Sequence, residues 1–186
     1  MEPEIDYVGL LRALIQTESS NNPSAVSEDN ATGLTQILPR FAHDMGGNVP
    51  SVYEVADIYG VEYGAPSTDE AKRLLMVPEI SVHMGDKVLQ RMMQRERGEV
   101  DDALRAYNMG ADALDGWEQS GKRISSLDDE AREYPGKIRS AYEQLTGMTL
   151  PTQIAPVREN GIGYAPGASI RPQPRPSGLL SNIGMQ

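Results

Sequence analysis

Glu18 is the acid whose position departs most from the pattern around it. It follows Val8, Leu11, Leu14 and Ile15, whose three- and four-residue steps put them on one helical stripe. Glu18 sits where the next core residue belongs. A carboxyl held there loses solvent, which disfavours its charged form and keeps its proton on nearer to neutral pH. Such a group can serve first as an acid and then, having given up its proton, as a base. Read from the stripe alone, the position is more often that of a solvated helix-end acid or a capping partner.

The other polar groups read less sharply by themselves. Ser19 orients the neighbouring carboxyl or caps the helix end. It is not a serine nucleophile, because neither His43 nor His83 sits in a base-bearing arrangement. Gln36 reads as a surface helix residue with both donor and acceptor capacity. Tyr107 and Tyr134 read as core aromatics with satisfied hydroxyls. Asn108 falls just before a helix-interrupting Gly110, and Glu130 reads as a solvated first-turn acid.

The elements that must position these groups are helices. After a first helix over residues 4–19, residues 21–32 are rich in Asn, Ser, Asp and Gly, the chemistry of a loop. A short helix is expected over 34–45, then irregular chain over 48–67. A helix capped by Ser67 or Thr68 stops before Pro78, and a longer one runs over 79–97. Asp101-Asp102 open another that is interrupted at Gly110. The last spans 127–145, with a break at Pro135 or a fresh start at Gly136.

With 186 residues the chain suits one sizeable core. A single Phe and repeated Ala/Leu/Glu/Arg/Met spacing make the fold class mainly α. The body, residues 1–147, is followed by an extended Pro/Gly-rich C-terminal arm, 148–186, whose composition does not bury enough apolar surface to order itself. Within the arm, the Leu179–Ile183 stretch suits a docking peptide. A net charge of −10 sets the chain's own field against nucleic acid, which is excluded as a partner. The chain has no cysteine, so thiolate zinc sites and disulfides are excluded. Residues 28–30 lack the alternating ligands of a calcium loop, so no metal and no cofactor are expected. Asn30-Ala31-Thr32 fits a glycosylation sequon but accompanies no secretory signal. An acidic start and the lack of a long apolar run lead to the expectation of no export signal and no stable membrane insertion.

Several motifs, taken in order, carry a resemblance. Glu18-Ser19, the run from Asn22 to Ser27, Ala31-Thr32-Gly33-Leu34-Thr35-Gln36, and Pro39 resemble the opening motifs of the soluble lytic transglycosylase family. The Pro78–Gly85 run resembles the family's Pro-x-x-Asn-Ile-x-x-Gly helix start. Ala106-Tyr107-Asn108-Met109-Gly110 matches its Ala-Tyr-Asn-x-Gly motif, and Glu130–Tyr134 resembles its last Glu-Thr-x-x-Tyr element. Each motif is weak singly, whereas their shared order and spacing are specific, and together they span roughly residues 5–145.

The resemblance implies a goose-type lysozyme-like domain that cleaves the β-1,4 bond between N-acetylmuramic acid and N-acetylglucosamine in peptidoglycan, leaving a 1,6-anhydro product. It implies Glu18 as catalytic acid and base, with the Tyr107 hydroxyl near that carboxyl. Ser19, Gln36, Asn108, Glu130 and Tyr134 are then expected to line the glycan groove. Two positions depart from the pattern. Thr35 stands where Met is usual and is expected to reshape a sugar subsite, and Ser81 stands where Asn is typical. Residues 40–77 form a longer insertion, expected as a lid or groove wall. With no export signal expected, the setting implied is a phage virion, in the tail or internal ejection apparatus, with the arm docked on a structural protein. A bacterial secretion-system transglycosylase and a non-catalytic glycan binder are the alternatives.

Overall fold

Helix formation begins at Asp6, whose side chain accepts the amide of Gly9 and satisfies one of the donors that a helix start leaves open. In the computed structural model, which describes residues 5–121 and 124–154, this cap opens α1, Tyr7–Ser19. Tyr7, Leu10, Leu11 and Leu14 are buried, whereas Val8 and Ile15 are only partly so. The buried face is thus rotated toward Leu10 from the expected stripe. Glu18 still extends it, one turn beyond Leu14.

The helix expected over residues 34–45 is absent. This stretch is built of turns, with an isolated bridge pairing Thr32 and Ile37. Gln36 has a φ of 50°, a left-handed conformation that stops helix propagation. The opposite correction applies to residues 48–67, where α2, Val52–Tyr59, replaces the expected irregular chain. Ser51 accepts the amide of Glu54 while Glu54 reaches back to the Ser51 amide, and Gly60 closes the helix. The helices α3, Thr68–Leu75, and α4, Pro78–Arg95, follow, with Ser67 capping the former.

Val100–Met109 forms α5 and Ala111–Gln119 forms α6, separated at Gly110. The last helix, α7, Asp129–Thr146, runs through Pro135 without the expected break. An interior proline costs about 3 kcal/mol through a lost hydrogen bond and a crowded carbonyl. Tyr134 and Ile138 on either side of it are buried, and each such side chain returns roughly 1.5–3 kcal/mol. Since α7 packs on both α1 and α5, burial across the proline outweighs the local defect.

The architecture is mainly α; among the described residues the β pairing consists of isolated bridges. Helix α5 contacts α4 and α7, while α2 and α3 make a wing against α4. One core runs through these elements, from Leu10 and Leu14 through Met84 and Leu104 to Ile138 and Tyr142. No described helix is long and apolar enough to cross a membrane.

Packing continues past Gly147, where the body was expected to end. The Val100 amide bonds the Thr152 carbonyl and the Ile154 amide bonds the Gly98 carbonyl, both at 2.9 Å. Leu150 and Ile154 are buried. Residues 148–154 therefore form a strap across the start of α5. The rest of the expected arm lies outside the described residues.

Candidate active site

Glu18 sits in the last turn of α1, where the apolar face meets α7. Tyr134, itself buried, reaches across from α7 and donates its hydroxyl to the Glu18 carboxylate. Burial is the largest influence on the carboxyl and raises its pKa from 4.5 to about 7. The Tyr134 bond opposes that rise and the nearby charge of Glu130 adds to it. The group is therefore poised between acid and base near neutral pH, the condition for giving and then recovering one proton.

Two tyrosines frame this acid. Tyr107, in α5, donates its hydroxyl to the Thr35 carbonyl at 2.9 Å, and Tyr134 holds the acid itself. Burial, followed by the charge of Glu18, lifts both phenols well above their ordinary range, so both remain donors. Tyr107 lies within the field of Glu18, and its hydroxyl bonds the Thr35 carbonyl. Asn108 is next along α5 and donates from its amide to Glu130 at 3.2 Å, tying α5 to the exposed first turn of α7. Glu18, Tyr107, Asn108, Glu130 and Tyr134 thus come together from three helices.

The Ser19 hydroxyl and the Gln36 amide nitrogen are both engaged within the protein. The Ser19 hydroxyl donates back to the Ile15 carbonyl at 3.1 Å, and the residue is buried. It braces the last turn of α1, a common fate of a helical serine. The Gln36 amide nitrogen donates to the carbonyls of Gly33 at 2.9 Å and Ala25 at 3.3 Å. It holds the loop shut across its own left-handed residue. Thr35 is fully buried, so it does not wall a sugar subsite. What sequence reasoning missed is that the Thr35 carbonyl is the acceptor for Tyr107. The two hydroxyl residues standing at departures, Thr35 and Ser81, were the available signal, since both are fully buried and bonded to each other.

The mainly helical frame, which sets a tyrosine hydroxyl on a partly buried carboxyl, matches a lysozyme-like transglycosylase fold. The chain belongs to the Transglycosylase SLT domain family, whose match covers residues 4–126. Glu130 and Tyr134 lie beyond that span and join the site by geometry. A transglycosylase of Enterobacteria phage PRD1 is 26% identical over 153 residues, covering 80% of this chain and 44% of that relative. The chain thus spans less than half the length of that relative. The 70 kDa soluble lytic transglycosylase SLT70 of Escherichia coli superposes with a TM-score of 0.56 at 23% identity, over 82% of this chain and 24% of that one. An inactive mutant of the lytic transglycosylase Slt of Pseudomonas aeruginosa gives 0.56 at 22% identity, over 78% and 23%.

Proposed function

We propose that this chain is a peptidoglycan lytic transglycosylase that cleaves the β-1,4 bond between N-acetylmuramic acid and N-acetylglucosamine. The observation that carries the reading is a carboxyl whose pKa stands near 7 because it is buried. A glycosidic oxygen leaves poorly until protonated. Glu18 gives its proton to that oxygen as the bond to the muramic C1 breaks. The resulting carboxylate then takes the proton of the sugar's own C6 hydroxyl as O6 bonds to C1, which restores the acid and closes a 1,6-anhydro ring. A nucleophile already held on the same sugar is entropically favoured over water. Tyr134 keeps the carboxyl aimed through both steps.

Mass spectrometry of released muropeptides tests this directly. A product lighter by one water than the hydrolytic one supports the transglycosylase reading, and a reducing end overturns it. The latter outcome has a structural candidate in Glu130, the carboxylate whose charge reaches Glu18. We further assign the protein to a phage particle that opens the wall locally during genome ejection, with residues beyond Ile154 docked on a tail or internal structural protein. The phage relative supports this setting. Probing purified particles for the chain tests it, and absence there favours a bacterial secretion-system enzyme.

A further inference from the structure

Every polar atom of Thr35 is committed, its amide and hydroxyl to Ser81 of α4 and its carbonyl to Tyr107 of α5. Its amide donates to the Ser81 hydroxyl at 3.3 Å, and its own hydroxyl donates to the Ser81 carbonyl at 2.8 Å. The two hydroxyls lie 3.2 Å apart. Its carbonyl, on the other side, accepts the Tyr107 hydroxyl at 2.9 Å. Both Thr35 and Ser81 are wholly without solvent, so these groups find partners in one another or nowhere.

The backbone is cut to admit this contact. A Cβ on Gly85 would stand 2.4 Å from the Thr35 methyl, and one on Gly33 would stand 2.0 Å from the Leu75 carbonyl oxygen and 2.7 Å from the Ser81 hydroxyl. The Gly33–Gln36 turn is therefore pressed into the junction of α3 and α4, and only small residues permit it. Gly33 also needs its φ of 82° to make the turn.

We propose that Thr35 and Ser81 form one matched positioning unit, which locks the turn onto α4 and thereby fixes the carbonyl that holds the Tyr107 hydroxyl in the candidate site. The inference rests on the glycan-cleaving reading for its effect on rate. Neither hydroxyl touches substrate; both act through Tyr107. The pair works as a whole, because removing either one strands a buried polar group of the other.

The test uses the full chain and five variants: Thr35→Val, which keeps the branched shape, Ser81→Ala, the double of these two, Tyr107→Phe and Thr35→Ser. Two readouts are taken, turnover on purified glycan strands and the 13C-detected titration of the Glu18 carboxyl, which faces Tyr107, Tyr134 and Glu130. Each single variant is expected to lower kcat roughly tenfold with KM nearly constant, and to move the Glu18 midpoint downward as the loosened wall admits water. The double variant is expected to do no more than either single, and neither to add to Tyr107→Phe. Thr35→Ser, which keeps the hydroxyl, restores both readouts. It also carries the test together with Ser81→Ala should the valine variant fail to fold. Reduced melting temperature with unchanged kcat and unchanged midpoint overturns the proposal, as does full additivity. Should the wild type release no anhydro product, the proposed function fails, while the titration still decides whether the pair positions the site.

Discussion

The junction of α1 with α7 and the wing made by α2 and α3 are built by opposite rules. In the wing, polar groups are satisfied at the surface: Ser51 caps α2, Glu70 pairs with Arg73, and the Tyr53 hydroxyl sits between His43 and the Ser67 backbone. The Glu54 and Glu70 carboxyls there are held below their ordinary range by hydrogen bonds, from Ser51 and from Arg73 and the Gly64 amide respectively. At the junction, a carboxyl continues an apolar face and a second acid stands near enough to oppose its ionisation. Ordinary burial rules would put an aliphatic side chain at Glu18. A position that resists the fold's own logic, set beside one that follows it, marks a candidate for chemistry.

The sharpest break of this contrast is Glu18→Gln. Loss of a general acid and base costs on the order of 10²–10⁴ in rate, and zymography on peptidoglycan is expected to show no clearing. The same variant should be more stable than wild type above neutral pH. The folded-state pKa of about 7 lies above the ordinary 4.5, so the fold holds this proton more tightly than the unfolded chain does. That contribution is fully present below pH 4.5 and is lost as pH rises through about 7. The difference amounts to roughly 3 kcal/mol, readable as melting curves that coincide at low pH and separate at high pH. Equal stability across the range would show that the carboxyl is not desolvated. Wild-type activity should likewise fall as pH rises through about 7.

Tyr134→Phe is expected to have the next largest effect. Its hydroxyl steadies the carboxylate and so opposes the rise caused by burial. Without it Glu18 holds its proton more tightly still, and the alkaline limb of the rate profile moves to higher pH. The rate itself should fall by roughly 10- to 100-fold as the carboxyl loses its aim. A fall in rate with an unmoved limb would place Tyr134 in the groove but off the acid.

What was legible in the sequence follows the same division. Glu18 stood out as an acid on an apolar stripe, although the stripe alone favoured a solvated acid, and α1, α3, α4 and α5 carry caps or periodicity that mark them. The turn at Gln36 was not legible, since nothing local announces that a glutamine takes a left-handed conformation. What holds it there is Thr35 pressed on α4, forty-six residues away. Pro135 was over-read for the same reason, because the packing that rescues α7 comes from α1 and α5. α2 was under-read: Ser51, Glu54 and Gly60 spell a start and a stop. Which tyrosine reaches the acid was open to geometry alone, because Tyr107 and Tyr134 lie on different helices facing one carboxyl.

The strap sharpens the comparison from the stability side. Leu150 is buried, and its carbonyl accepts from Arg139 of α7. Leu150→Ala is expected to lower stability by about 2–4 kcal/mol while kcat of the folded fraction stays near wild type, measured by denaturation and by turnover below the melting transition. A larger loss of kcat than of stability would mean that the strap reaches the site through α5.

The smallest effect is expected in the wing. Ser51→Ala removes the hydroxyl that accepts the Glu54 amide, and loss of such a cap costs about 1 kcal/mol. The wing packs on α4, and Val52, Val55 and Ala56 of α2 are buried, so the helix should persist with a looser first turn. Turnover and its pH profile should then match wild type, because the groups that shift the Glu18 carboxyl, Tyr134 and Glu130, both lie on α7 and not in the wing. Should kcat fall in step with α2 fraying, monitored by amide exchange at Glu54 and Val55, the wing would belong to the catalytic frame. The two building rules would then describe one working unit whose exposed half transmits to its buried half through α4.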